Sequence, residues 1–152
     1  IYFVTGNHEY YIKNLKEIIL NLKQYNIQHI SNNSNIIDDI NLIGVDDNIS
    51  KEKQLNIIKN NLRKNKLNLL LIHKPSIWEE VYNQIDLMLS GHTHNGQIFP
   101  FNIFVRIQFK YKYNIYKHKD SKLYVSSGSG PWGPKMRLGT YNEVILFNLS
   151  SK

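Results

Sequence analysis

The chain has 152 residues, of which 41% are hydrophobic, 12% aromatic and 20% charged. This is the size and composition of one globular domain and excludes a disordered or collagen-like chain. No apolar run reaches the roughly 18 residues of a bilayer span, and the absence of cysteine excludes a disulfide scaffold, a zinc ribbon and a thiol nucleophile. The net charge of +7 favours acidic partners: phosphate esters, nucleic acid or an anionic membrane. The 16 Lys against three Arg, the many Asn and Ile and the lack of Ala read equally as drift toward AT-rich codons.

Residues 2–5 read as a short strand ending at Gly6. Because this pattern opens at Ile1 without a signal peptide before it, the chain is expected to be the later part of something longer. Within residues 14–25, Leu15, Ile18, Ile19 and Leu22 recur at helical spacing and predict an amphipathic helix. Residues 27–30 and 36–45 read as two or three short strands, with Asn32 to Asn35 as the turn between them. Ser50 is placed to cap a second helix running to about residue 65. Residues 67–72 form a continuous apolar run, the pattern of a strand buried on both faces. A shorter helix is expected over 75–84, with Pro75 near its start, and another buried strand over 85–89.

Beyond Gly91 the texture changes. Residues 99–116 mix aromatic and basic side chains, among them Lys110 and Lys112. This alternation predicts a half-exposed strand pair; contact with lipid head groups at a membrane surface is the other reading. Residues 117–122 read as a hairpin tip, 123–126 as a strand, 128–139 as a Gly/Pro loop and 143–149 as a final strand. The order points to an α/β (α+β layered) fold with helices outside the sheets.

Three predicted strands deliver polar groups at their carboxyl ends. The first runs into Gly6-Asn7-His8-Glu9, the 67–72 strand into His73, and the 85–89 strand into Gly91-His92-Thr93-His94. In layered α/β folds ligands bind beyond these strand ends. Neutral imidazoles and an Asn carbonyl suit a divalent transition metal. Gly6 and Gly91 are expected to permit tight turns before the ligands. His29 and His118 are expected at the surface, Trp132 packed in the core, and Asn95 and Gln97 as groups orienting His94.

The set Gly6-Asn7-His8-Glu9, His73 and Gly91-His92-Thr93-His94 resembles the last three motifs of the calcineurin-like metallophosphoesterases. Two further runs are similar to the YkuE/YaeI-like branch, which includes membrane-associated enzymes. They are Gly91-His92-Thr93-His94-Asn95-Gly96-Gln97-Ile98, and Ser126 to Pro134 with Arg137-Leu138-Gly139. The resemblance implies part of a four-layer α-β-β-α sandwich, with residues 1–152 as a single domain truncated at its N-terminus. It implies two divalent ions (Mn, Fe, Zn or Ni), with Asn7, His73 and His92 on one and His94 on the other. His8 would contact the phosphate and protonate the leaving oxygen, and Arg137 and Asn95 are candidates for substrate binding.

The implied reaction is hydrolysis of a phosphoester, of a small molecule or of a phospholipid or nucleotide-lipid. A nuclease and a non-catalytic or degenerate metal-binding module are the alternatives. The family's Asp-x-His and Gly-Asp motifs are absent from these residues, so the chain alone is expected to be inactive, with an unpaired edge at its first strand. Any signal or membrane anchor is expected in a segment before Ile1; a cytoplasmic location is the other expectation.

Overall fold

The computed structural model describes residues 1–150. Two sheets form, and the larger is built from the apolar runs. Strands β3 (Asn33–Ile37), β4 (Ile40–Val45), β5 (Leu67–Ile72), β6 (Leu87–Ser90), β7 (Asn114–His118) and β8 (Ser121–Val125) pair in the order β3-β4-β5-β6-β8-β7. The four central strands are parallel, while β3 and β7 run antiparallel at the edges. The smaller sheet pairs β1 (Tyr2–Phe3) with β2 (Gln28–His29) in parallel.

Alternation along the central strands divides two cores. Ile43, Val45, Leu70, Ile72, Met88, Leu123 and Val125 face one way, beneath Ile58 of α2 (Lys51–Asn61) and Trp78 and Val81 of α3 (Trp78–Val81). Leu42, Leu69 and Leu87 face the other way and meet Ile30 and Tyr2. Burial on both faces is why these strands are continuous apolar runs. Gly44 is required where the two sheets meet, because a Cβ there would lie 2.5 Å from the Ile30 carbonyl oxygen.

Much of the chain forms as its patterns predict. The helix α1 (Leu15–Leu22) lies within 14–25, Ser50 Oγ accepts from the Lys53 N–H to cap α2, and β5 has the predicted bounds. Four expectations fail. Asn33 to Asn35 are strand, not turn; the chain reverses at Asp38, whose φ is +49°. As an edge strand, β3 tolerates their polar side chains. Residues 101–108 form the helix α4 (Phe101–Gln108), not a strand. Residues 143–149 form no strand, although Glu143, Ile145 and Phe147 alternate inward, because no partner strand lies beside them. His29 is not a free surface group: it stacks on Phe3 and bonds Asp46. No helix among the described residues is long and apolar enough to cross a membrane.

One carboxylate joins the small sheet to the large one. Asp46, at the end of β4, is 3% exposed. Its Oδ1 accepts from the Thr5 N–H at 3.1 Å, the Thr5 hydroxyl at 2.7 Å and His29 Nε2 at 2.8 Å; its Oδ2 accepts from the Ser31 hydroxyl at 2.6 Å. Burial alone would raise its pKa, but the bonds from Ser31, Thr5 and His29 outweigh burial and hold it below the ordinary value. A depressed carboxyl stabilises the fold fully above its unfolded pKa of about 3.9 and loses that contribution as pH falls through the folded value. Asp46→Ala should therefore cost about 3 kcal/mol at neutral pH, read from urea denaturation. The gap between the two proteins should close in acid.

Candidate metal centre

The Asp46 clamp fixes Thr5, and the next residues turn Asn7 and His8 over the carboxyl ends of β5 and β6. Gly6 is where this turn passes His73: a Cβ there would lie 2.7 Å from the imidazole. The Gly6 N–H donates to Glu9 at 2.6 Å, closing the turn. His73 Nε2 lies 2.7 Å from Asn7 Oδ1 and 3.0 Å from His92 Nδ1. A single imidazole nitrogen offers either one proton or one lone pair. It donates to Asn7 or accepts from His92, and cannot serve both fully. Three lone-pair donors around one cation remove this conflict, and ligand bonds of about 2.0–2.2 Å put donor atoms about this far apart.

Electrostatics favour the ligand form of each ring. Burial lowers the pKa of His73. Burial, then the neighbouring His73 and Lys74, lower His92 to about 4. Burial and the Arg137 charge lower His94. Neutral imidazoles give up no proton on binding a cation. His94 Nδ1 is buried without a well-formed hydrogen bond, and the weak backbone contact with Gly130 does not outweigh its burial. Among the described residues no three His, Asp or Glu side chains gather at one point; the bonded constellation is two imidazoles and one amide, with His94 on the same cavity wall.

The loop carrying these histidines is strained. His92, His94, Asn95 and Gln97 all have positive φ, each costing of order 1–3 kcal/mol. Gly91 meets nothing within 4 Å and lies outside the left-handed region, so the turn does not depend on it as expected. Arg137 holds the loop instead. Its Nε donates to Asn142 Oδ1, Nη1 to the His94 carbonyl at 3.0 Å and to Thr140, and Nη2 to the Ser127 and Gly130 carbonyls at 2.6 and 2.9 Å. A fork with every donor engaged by protein is a loop clamp, and it leaves no N–H for a phosphate. The Asn95 backbone N–H bonds to Thr93 Oγ1. Gln97 does not orient His94; its amide bonds the Trp132 and Pro134 carbonyls and accepts from the Trp132 N–H.

Trp132 is half exposed at the mouth of the site rather than packed in the core. Its indole Nε1–H donates to His8 Nε2 at 2.9 Å. Indole nitrogen only donates, so neutral His8 carries its proton on Nδ1. Between Trp132 and α4 lies a cavity of about 470 Å³. His8, His73, His92 and His94 line one part of it, while Phe101, Phe104, Val105 and Phe109 line the remainder. These aromatic walls and the Asp46 clamp were not singled out from sequence. Asp46 had a readable signal, since it too stands where an apolar strand ends.

Comparison with known proteins gives a consistent result. A family model described as calcineurin-like phosphoesterase matches residues 1–96. An uncharacterized metallophosphoesterase of Campylobacter jejuni is 36% identical over 99% of this chain and 42% of its own length. One of Helicobacter pylori is 35% identical over 99% and 43%. A Bos taurus protein described as a transmembrane protein with metallophosphoesterase domain is 32% identical over 99% and 38%. The chain thus spans less than half the length of these relatives. No solved structure matches.

In the metal-free protein, NMR titration should find the His92 imidazole titrating near pH 4. Because this pKa is depressed, the unfolded chain takes up the proton first. The stability supplied by neutral His92 is complete above about 6.5 and lost as pH falls toward 4. Gly6→Ala should displace His73 and weaken zinc binding at least about tenfold by calorimetry. Gly91→Ala should leave it unchanged.

Proposed function

The chain belongs to the calcineurin-like phosphoesterases, and on that premise we propose that its histidine cluster is a metal centre for phosphoester hydrolysis. Asn7, His73 and His92 hold one divalent cation and His94 contributes to a second. The observation that carries this reading is the convergence of Asn7 Oδ1 and His92 Nδ1 on His73 Nε2, a geometry a cation satisfies and a proton does not. Bound there, divalent ions supply Lewis-acid polarisation of the phosphoryl group.

The chain's own side chains do the remaining work in this reading. His8 stands beside the cluster at the cavity wall; as the imidazolium it donates a proton to the leaving oxygen and is left as the neutral ring. Trp132, whose indole N–H donates to Nε2 of that neutral ring, holds the deprotonated form in place, and the bond is released when Nε2 takes up a proton. Arg137 fixes the His94 backbone rather than the substrate, and Asn95 is left as the polar residue of the loop able to meet a substrate oxygen.

His94 is the one ligand for the second cation that these residues supply. The sequence contains no Asp-x-His and no Gly-Asp pair. Asp46 is consumed by its clamp, and Asp47 pairs with Lys74 at 2.9 Å. Two adjacent dications need carboxylates to offset their charge. Residues 1–152 alone should therefore bind one cation well and turn substrate over slowly.

The aromatic part of the cavity favours a phosphoester with an apolar group, such as an acyl chain, over a free sugar phosphate. It equally disfavours the nuclease alternative, which calls for a basic groove.

The test is hydrolysis of p-nitrophenyl and bis-p-nitrophenyl phosphate by the protein with Mn²⁺. His8→Ala should lower kcat by about a hundredfold or more with metal affinity kept. His73→Ala should abolish the rise in thermal midpoint that the cation gives. Turnover independent of added metal, or unchanged in His73→Ala, would refute the reading.

A further inference from the structure

The net charge is not spread along the chain. Residues 87–142 carry eight Lys and Arg and a single acidic residue, Asp120. That stretch accounts for the whole net charge of +7; the remaining residues hold eleven of each sign. Drift in codon usage does not segregate charge in this way. The same stretch contains α4, whose apolar side chains stand in water. Ile107 is 80% exposed, Phe101 64%, Phe104 62% and Ile103 46%. Their three- and four-residue spacings place them on one arc of the helix.

We propose that this arc of α4 docks on the surface of an anionic lipid bilayer. The proposal goes beyond the hydrolase reading and does not depend on it. Leaving four large apolar side chains in water forgoes their burial, so the arc calls for a cover. Basic residues adjoin it: Arg106 lies on the helix itself, and Lys110 and Lys112 follow its end. Lys110 is paired with Glu79, a pair of no net charge, so Arg106 and Lys112 supply the net positive charge beside the arc. Apolar residues beside Lys and Arg are the composition of a helix lying in a lipid interface. A duplex nucleic acid would satisfy the charges and leave the phenyl rings unburied.

The arc is also continuous with the cavity. Phe101 and Phe104 belong both to the exposed face and to the cavity wall, and half-exposed Trp132 forms the opposite wall. A second protein laid across this mouth would close it. A bilayer would present its own headgroups to it.

The test is sedimentation of the protein with vesicles of phosphatidylcholine alone or mixed with phosphatidylglycerol. EDTA is present throughout, so that no hydrolysis enters the readout. We expect pelleting with the anionic vesicles and weakening with added salt. Replacing Ile103 and Ile107 together (Ile103→Asn, Ile107→Asn) should weaken binding at least about tenfold; neither residue lines the cavity. As a second probe, Ile107→Trp should keep binding and shift its emission to the blue on vesicles. No pelleting with anionic vesicles, equal pelleting of the double variant, or unmoved Ile107→Trp emission would overturn the proposal. So would a dimer that the double variant dissociates while vesicles have no effect, or salt-sensitive binding to duplex DNA alone. Loss of phosphoesterase activity would leave the vesicle result standing, and the reverse holds as well.

Discussion

The buried carboxylate of Asp46 is the constraint on which the site depends. The turn bearing Asn7 and His8 leaves a strand of two residues, too short to hold a position by its own ladder. Four hydrogen bonds from Thr5, His29 and Ser31 to Asp46 supply the missing hold. Each partner has a fixed address: Thr5 follows β1, His29 ends β2, Ser31 precedes β3, and the accepting Asp46 follows β4. The charge is tolerable in that place because its lone pairs are occupied. Asn7 therefore meets His73 across a gap that side-chain packing alone would leave loose.

The second half of the site is held against its own backbone preferences. Positive φ at His92, His94, Asn95 and Gln97 is affordable because neighbours overdetermine the loop. Arg137 grips the His94 carbonyl, Thr93 bonds the Lys112 carbonyl, and Gln97 is tied to the Trp132 loop. Strain of this kind concentrates at binding sites. Here it aims two imidazoles, separated by one residue, at different places. A regular strand would send both to one face.

Legibility from sequence followed the range of the interaction. β5 and the Ser50 cap were readable because their causes are local: an unbroken apolar run and a hydroxyl before a helix. The histidines at strand ends were readable for the same reason. α4 was misread because Phe101, Ile103, Phe104 and Ile107 alternate with polar residues well enough to mimic a strand, and the residue that starts the helix, Pro100, offers no side-chain cap. Residues 143–149 were misread because a strand needs a neighbour, which no local pattern reports. The place of Trp132 and the loop clamp of Arg137 were not legible because their partners, His8 and the 127–130 carbonyls, are set by loop geometry. Asp46 and His29 find each other across 17 residues, beyond any periodicity.

The central claim is that Asn7, His73 and His92 share one cation. X-ray absorption at the zinc edge, on protein carrying one equivalent of zinc, addresses it most directly. The account predicts imidazole scattering from two rings together with oxygen ligands, and loss of one ring's contribution in His73→Ala. A purely oxygen shell, or a spectrum identical in His73→Ala, would contradict it.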